Sequence, residues 1–117
     1  MPKLKKLPTY KDARGNLTVI EKTLPFEIKR VYYIYGVEDQ ERGFHSHKKT
    51  QQALIAVHGS CQIHIKNNGI INSFKLDSPD KCLIIEPQDY HWMNSFSKNA
   101  VLLVLASHYF DKNDYIE

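Results

Sequence analysis

Short stretches of apolar and β-branched side chains, each ended by turn residues, dominate the chain. Val, Ile, Leu and Tyr recur in these stretches, and none of them continues long enough without a breaker to predict a helix. The pattern predicts seven strands, at residues 17–21, 30–37, 52–57, 62–66, 70–74, 82–86 and 101–107. Strands at this spacing are typical of an all-β sandwich or barrel. Residues 111–117 fit either one helical turn or an ordered loop.

One turn is marked strongly enough to predict its type. Asn68-Gly69 separates two apolar runs. Both central residues of the favoured two-residue hairpin turn need positive φ, which Asn and Gly tolerate best. We therefore expect the runs on either side to form a tight β-hairpin.

Composition limits what the chain can be. Its 117 residues, 42% of them hydrophobic, have room for one domain spanning residues 1–117. A formal charge of +3 is too small to indicate a nucleic-acid-binding protein, although it suits a small anionic ligand such as a pyrophosphate. We expect the basic N-terminus, with Lys3, Lys5 and Lys6, to be a solvated tail.

Cysteine usage and hydropathy indicate a reducing compartment. Cys61 and Cys82 lie within apparent strands and are predicted to be buried free thiols. No apolar run approaches the ~20 residues of a membrane span, and the N-terminus lacks the apolar core of a signal peptide. We expect a cytoplasmic protein without a membrane partner.

Two histidines carry the clearest chemical signal. If their segment is extended, His45 and His47 point to the same face of one strand, with Cα atoms ~6–7 Å apart. Two such imidazoles could bind a metal, or act as acid and base on adjacent atoms of one ligand. A pair of surface histidines in a loop is the alternative interpretation.

The residues around this pair resemble the two sequence motifs of the cupins. After His45 and His47, Gln52 stands where the first motif has an acidic residue and Gly59 where it has glycine. The segment 87–94 resembles the second motif, with His91 one residue early. The resemblance implies a double-stranded β-helix, the jelly-roll barrel of cupins. Because Gln52 offers a metal only a neutral carbonyl oxygen, we expect activity without a metal.

A closer resemblance covers nearly the whole chain. The sequence is similar to the sugar 3,4-ketoisomerases in the segments 12–17, 30–34, 42–48, 57–60, 76–79, 94–97, 101–107 and 109–116. It departs from them at Ser46, Tyr90 and Trp92, where that family usually has Ala, Trp and Glu. The resemblance implies an isomerase that converts dTDP-4-keto-6-deoxyglucose to a 3-keto isomer, on the route to 3-amino sugars of O-antigen or S-layer glycans.

The resemblance and the chemistry together assign roles to residues. His45 and His47 are the predicted acid and base, and no cofactor is needed because the ketone moves through an enediolate. Tyr33, Arg42 or Lys48 could stabilise that enediolate, and Arg14 could bind the pyrophosphate in a bidentate fork. The full predicted substrate-binding set is Arg14, Tyr33, Tyr35, Arg42, Lys48, Gln52 and His91.

Three other functions stay open at this point. One is an epimerase or isomerase of different stereochemistry on the same class of dTDP-4-keto sugar. Another is a sugar-binding cupin without turnover, and the third is a metal-dependent cupin enzyme, which Gln52 disfavours. Whatever the function, the small core predicts a homodimer, and so does the usual assembly of the family that the chain resembles. In this dimer the strand Leu17–Glu21 could add to the partner's sheet at an unpaired edge.

Overall fold

Strands make up most of the protein in the computed structural model, which describes residues 2–117. Within this range twelve strands are formed: β1 Lys3–Lys6, β2 Thr9–Asp12, β3 Gly15–Thr18, β4 Arg30–Tyr35, β5 Arg42–His47, β6 Gln52–His58, β7 Cys61–Asn67, β8 Ile70–Leu76, β9 Lys81–Ile85, β10 Tyr90–Asn94, β11 Val101–Ala106 and β12 Tyr115–Ile116. A short 3-10 turn, Lys112–Asp114, precedes β12. None of the described residues belongs to a helix that is long and apolar enough to cross a membrane.

The strands form two five-stranded antiparallel sheets that face each other. The first has the order β1-β9-β6-β11-β4 and the second the order β12-β5-β10-β7-β8. Apart from β7 and β8, neighbouring strands in each sheet are not consecutive in the chain, as in a jelly roll. The remaining strands, β2 and β3, pair only with each other and form a separate hairpin. The predicted all-β cupin class is therefore confirmed.

The apolar core has two parts, on opposite faces of the first sheet. Leu54 and Ala56 of β6 lie in the cluster between the two sheets. Ala53 and Ile55, on the other face of β6, belong to a second cluster that Ile20, Leu24 and Phe26 cover from outside. Cys61 and Cys82 are buried free thiols, one in each cluster, as predicted. Burial raises the pKa of both to about 11.

Most predicted strands lie within two residues of the observed ones. The exception is 17–21, because the observed strand is β3, Gly15–Thr18. The predicted hairpin joins β7 to β8, with φ of 53° at Asn68 and 77° at Gly69. The seven predicted strands do not include β1, β2, β5, β10 and β12, which are short or polar, although the segment around His45 and His47 was considered as extended.

The N-terminal lysines are not a solvated tail. Lys3, Lys5 and Lys6 lie on β1, which pairs antiparallel with β9 along its whole length. Leu7 follows and is fully buried, with its amide donating to the Asp80 carbonyl at 2.7 Å. The prediction was wrong because β1 is held by its backbone as an edge strand, and edge strands commonly carry lysine side chains in solvent.

A β-bulge interrupts β5 beside β10. His91 pairs with His45, but the next residue of β10, Trp92, pairs with Gly43, so that Phe44 has no partner. Both bulge residues have positive φ, 100° at Gly43 and 65° at Phe44. The Phe44 ring stacks on Trp92 at 5.8 Å with an angle of 8° between the planes. This contact helps to offset the strain at Phe44, which is about 1–2 kcal/mol for a non-glycine residue in this region.

Replacement of Gly43 should test the bulge. A Cβ atom at Gly43 would lie 3.0 Å from both the His91 carbonyl oxygen and the Trp92 Cα, and these are backbone atoms that cannot rotate away. We expect Gly43→Ala to lower the free energy of unfolding by about 2–4 kcal/mol, from left-handed strain plus the clash. Gly69→Ala is the matched control, since Gly69 also has positive φ but has open space around its Cα. It should cost only about 1 kcal/mol. Equal losses of stability in urea denaturation would contradict the clash.

Candidate active site

A cavity of about 300 Å³ opens between the two sheets. Strands β4, β6 and β11 of the first sheet and strands β5, β10 and β12 of the second supply its walls. Its lining residues are Arg30, Tyr32, Tyr33, Ile34, Arg42, Gly43, His45, Gln52, Leu54, His91, Met93, Val104 and Tyr115. Apolar residues from the core form its floor, and polar groups converge above them, as is typical of small-molecule sites.

Three imidazoles form one wall of the site. His45 and His47 project from the same face of β5, with ring centroids 5.1 Å apart. His91 comes from the neighbouring strand β10, where it pairs with His45, and its ring lies 4.9 Å from that of His45 and 6.0 Å from that of His47. The His91 Nδ1 atom lies 3.1 Å from the Asp89 carbonyl oxygen, which fixes the orientation of the ring. The predicted common face of His45 and His47 is therefore confirmed.

The C-terminal strand holds this histidine wall in place. Residues Tyr115 and Ile116 of β12 pair with His47 and Ser46 of β5. The Tyr115 ring packs edge-on against two imidazoles, 4.9 Å from His45 and 4.6 Å from His47. The strand that carries the histidines is thus paired on both sides, by β10 and by β12.

Burial keeps the three imidazoles neutral. It lowers the pKa of His47 to about 4, with the neighbouring His45 adding to the effect. It lowers the pKa of His91, which is only 2% exposed, to about 4 as well. Burial also lowers the pKa of His45, although a backbone hydrogen bond at Gly43 and the charge of Glu117 act in the opposite direction. At neutral pH each ring can therefore accept a proton.

The carboxylate of Asp114 is buried and lies close enough to His47 for its charge to act on that imidazole. Asp114 accepts hydrogen bonds from the Thr50 hydroxyl and, at 2.8 Å, from the Lys49 amide. Burial would raise the pKa of Asp114, but these hydrogen bonds and the nearby His47 hold it below its ordinary value. The negative charge of Asp114 in turn favours the protonated form of His47.

Cations and hydroxyl groups border the same cavity. Arg30 lies over the Tyr32 ring, with its Cζ atom 4.3 Å from the ring centroid. Arg42 reaches the cavity from the start of β5. The Gln52 Nε2 atom donates to the Tyr32 hydroxyl at 3.0 Å. These groups supply positive charge and hydrogen-bond donors close to three proton acceptors.

The cavity brings together only part of the predicted site. His45, Gln52, Arg42 and His91 line it. His47 does not line it, but its ring packs against those of His45 and Tyr115, which do. Tyr33 only borders the cavity, because its side chain lies on the outer face of β4 and is 61% exposed.

Three further predicted residues lie outside the cavity of the same chain. Tyr35 stacks on Tyr33 at 5.8 Å, on the outer face of β4. Lys48 is exposed beyond the end of β5. Arg14 lies in the turn of the β2–β3 hairpin, 90% exposed and ion-paired with Asp12 at 2.6 Å. Their predicted contacts with substrate stay predictions.

Three polar side chains that line the cavity were not among the predicted site residues: Arg30, Tyr32 and Tyr115. Strand periodicity places Tyr32 and Tyr33 on opposite faces, but it does not say which face is inward, and Tyr32 is the inward one. Arg30, two residues before Tyr32, shares that inward face, which the alternation of β4 could have revealed. No sequence pattern indicated that Tyr115 lies at the cavity, because β12 consists of only two residues.

A metal centre is the other chemistry that clustered histidines could support. Across residues 2–117, no group of three or more His, Cys, Asp or Glu side chains has the geometry to hold a metal ion. Gln52, in the position of the acidic cupin ligand, directs its amide nitrogen to Tyr32.

Comparisons with known proteins identify relatives of the whole chain. A family model described as FdtA, WxcM-like, C-terminal, matches residues 1–117. The TDP-4-oxo-6-deoxy-alpha-D-glucose-3,4-oxoisomerase of Aneurinibacillus thermoaerophilus is 47% identical over 108 residues. The match covers 90% of this chain and 78% of that protein.

Solved structures of ketoisomerases have nearly the same fold. One is a histidine-to-asparagine mutant of QdtA, the 3,4-ketoisomerase of Thermoanaerobacterium thermosaccharolyticum, in complex with TDP-4-keto-6-deoxyglucose. Its TM-score is 0.96 at 43% identity, over 98% of this chain and 86% of that one. Another is WlaRB, the TDP-quinovose 3,4-ketoisomerase of Campylobacter jejuni, with a TM-score of 0.93 at 41% identity, over 98% and 91% of the two chains. This chain belongs to the FdtA, WxcM-like family of sugar 3,4-ketoisomerases.

Proposed function

We propose that this protein is an isomerase that moves the ketone of dTDP-4-keto-6-deoxyglucose from C4 to C3. The observation that carries the proposal is the cluster of three neutral imidazoles at a cavity bordered by two arginines. The relatives named above act on substrates of this class. The resulting 3-keto sugar would suit an enzyme that transfers an amine to C3, as in O-antigen or S-layer glycan synthesis in the cytoplasm.

The reaction requires proton transfers at C3, at C4 and between their oxygens, and no redox partner. A neutral imidazole removes the C3 proton, the electron pair of that bond forms the C3–C4 double bond, and the C4 carbonyl oxygen takes the negative charge of an enediolate. The resulting imidazolium, or its neighbour, delivers a proton to C4, and the proton of the C3 hydroxyl passes to the C4 oxygen, so that C3 carries the new ketone and C4 a hydroxyl. His45 and His47 suit these steps because they project from one strand face with their rings 5.1 Å apart, and His45 lines the cavity.

The arginines suit the negative charges of substrate and intermediate. Arg30 and Arg42 both line the cavity, and a guanidinium group is always protonated at working pH. Placed in a partly desolvated cavity, they would stabilise an enediolate oxygen or hold a phosphate at the cavity mouth. Neither role requires a metal ion.

A homodimer would complete the site. The hairpin of β2 and β3 pairs with neither sheet of its own chain, and an isolated two-stranded hairpin is marginally stable in water. Its cross-strand pair Tyr10 and Leu17 is exposed. Strand β4, which carries the exposed Val31, is a free edge of the first sheet.

We place the hairpin of one subunit on the β4 edge of its partner. Pairing there would cover the apolar side chains of both surfaces and satisfy unpaired backbone groups. Because β4 also supplies Arg30 and Tyr32 to the cavity, the hairpin would lie beside the partner's site. In this arrangement, Arg14 in the turn of the hairpin would reach the pyrophosphate of a nucleotide sugar bound by the partner.

Asparagine variants of the histidine pair test the proposed function. His45→Asn and His47→Asn each keep a polar side chain but cannot ionise. Loss of a general acid or base typically lowers turnover ~10²–10⁴-fold. We expect each variant to lose turnover to this extent in an NMR assay of product formation from dTDP-4-keto-6-deoxyglucose, and to retain binding of dTDP in calorimetry. His58→Asn, which replaces an exposed histidine away from the cavity, is the control.

Other outcomes would favour other functions. A product that keeps its ketone at C4 but has an inverted neighbouring centre would identify an epimerase. Binding without any product would identify a sugar-binding protein. Turnover that a chelator abolishes and a divalent ion restores would replace the acid–base mechanism by a metal-assisted one.

The pH dependence of turnover follows from the lowered pKa values. A base must be neutral to accept a proton, and the pKa values of His45 and His47 both lie below the ordinary 6.5, that of His47 at about 4. We expect turnover to hold at neutral pH and to fall as pH decreases from about 6.5 toward 4. The unfolded chain takes up protons at higher pH than the folded one, so stability falls over the same range. Trp92 fluorescence should therefore confirm the folded fraction at each pH. A rate that rises below pH 6 would contradict a neutral base.

The dimer is testable without substrate. Light scattering should give twice the chain mass of 13.6 kDa at micromolar concentration. Leu17→Glu on the hairpin and Val31→Glu on β4 should each shift the mass toward that of the monomer, because a charge would be buried in the interface. Ile71→Glu, at an exposed apolar position on β8, should leave the mass unchanged. A monomeric wild type would contradict the dimer.

A further inference from the structure

A row of side chains crosses the outer face of the second sheet and ends at the bulge in β5. Trp92 of β10 pairs with His64 of β7, which in turn pairs with Ser73 of β8. On its other side Trp92 pairs with Gly43, next to the unpaired Phe44. The proposed acid–base steps use none of the side chains in this row.

The aromatic rings of the row stack on one another. The Phe44 ring lies 5.8 Å from that of Trp92 with 8° between the planes, and the His64 ring lies 5.3 Å from that of Trp92 at 26°. Phe44 is 40% exposed, and the other two are partly buried. The neighbours of Trp92 in β10, His91 and Met93, line the cavity, so Trp92 itself lies on the opposite face of the sheet.

Hydrogen bonds at both ring nitrogens fix His64 in this row. Its Nδ1 atom lies 2.7 Å from the Ser73 hydroxyl oxygen, and its Nε2 atom lies 2.8 Å from Asn94 Oδ1. A carbonyl oxygen can only accept, so Nε2 carries a hydrogen and donates it to Asn94. The Asn94 Nδ2 atom donates in turn to Glu41 Oε2 at 3.1 Å. The contacts of the row therefore reach the residue directly before the cavity-lining pair 42–43.

The bulge needs side-chain contacts because its backbone does not hold it in place. Phe44 has no partner in the ladder between β5 and β10, and its φ of 65° is strained for a residue with a Cβ atom. Gly43 before it adopts either sign of φ readily. Small changes in these dihedral angles would move Arg42 and His45, which flank the two bulge residues and line the cavity. The stack of Phe44 on Trp92 opposes such changes.

We propose that Trp92 is a positioning residue for the acid–base site. Through its stack with Phe44 it holds the bulge in one conformation, and the bulge sets where the Arg42 guanidinium and the His45 imidazole lie in the cavity. The inference rests on the proposed isomerase function and adds to it a residue that does not touch the substrate. A misplacement of about 1 Å can cost ~10²-fold in rate even when the mutated residue is far from the reaction.

Substitutions that keep or remove the stack test this inference. Trp92→Leu keeps an apolar side chain but removes the ring, and we expect kcat in the NMR assay to fall at least about 10-fold, toward the ~10²-fold that such a misplacement can cost. Trp92→Phe keeps a ring against Phe44 and should keep kcat close to that of the wild type. Phe44→Gly removes the ring and the left-handed strain together. It should lower kcat as Trp92→Leu does, but with a smaller loss of thermal stability.

A double variant and a control separate positioning from a general loss of packing. If both residues act through one stack, adding Trp92→Leu to Phe44→Gly should lower kcat by less than about threefold further. Ile55→Ala is the control, because Ile55 is fully buried in the second apolar cluster, on the far face of the first sheet. It should lower the unfolding temperature in circular dichroism and keep wild-type kcat wherever it is folded.

NMR spectra of the imidazole groups give a readout that does not depend on turnover. The His45 ring signals should shift or broaden in Trp92→Leu and Phe44→Gly and stay in place in Ile55→Ala. Wild-type kcat in Phe44→Gly, unmoved His45 signals, or losses of kcat that multiply in the double variant would each overturn the inference while the isomerase function stands. A wild-type protein that does not convert the 4-keto sugar would contradict the isomerase function alone, and the His45 signals would then decide the inference. If Trp92→Leu does not fold, Phe44→Gly decides, because glycine accepts the positive φ.

Discussion

The one-residue bulge in β5 is the constraint on which the site depends. Successive side chains of a regular strand alternate between faces, so residues 42 and 45 would point in opposite directions. The unpaired Phe44 shifts this alternation, and Arg42 joins His45 and His47 on the inward face. The shift needs Gly43, because the backbone of β10 approaches too closely for a side chain. The bulge in β5 therefore brings the Arg42 guanidinium and the His45 imidazole to one cavity, with the His47 ring packed against that of His45.

Burial between the sheets gives these groups their chemical character. The imidazoles of His47 and His91 lose solvent on folding, and this lowers the pKa of each to about 4. The free energy for burying them comes from the antiparallel sheets and the apolar cluster between them, not from the site itself. Asp114 is the buried carboxylate next to His47, and the backbone of the C-terminal turn and Thr50 hold it there. Fold stability and acid–base chemistry are thus coupled in the same side chains.

The chain differs from metal-binding cupins most clearly at position 52, where a glutamine stands in place of an acidic residue. Gln52 cannot supply a charged ligand, and its amide is committed to the Tyr32 hydroxyl. In the proposed mechanism, the histidines that a metal would otherwise hold take part in proton transfer. The scaffold would then be kept while the chemistry changes from Lewis-acid to acid–base catalysis.

The sequence by itself determined the fold class, most strands, the Asn68-Gly69 hairpin and the shared face of His45 and His47, because these follow from local alternation and turn chemistry. Tertiary structure alone decided that Tyr32 rather than Tyr33 faces inward and that β1 pairs with β9. It also decided that Tyr115 returns to the histidines from the end of the chain. Alternation divides a strand into two faces but does not say which of them another sheet will cover. A backbone pairing between short, polar strands leaves no pattern in side chains. Arg14 shows the same limit, because a resemblance can assign a residue to a ligand although the fold leaves it 90% exposed and outside the cavity of its own chain.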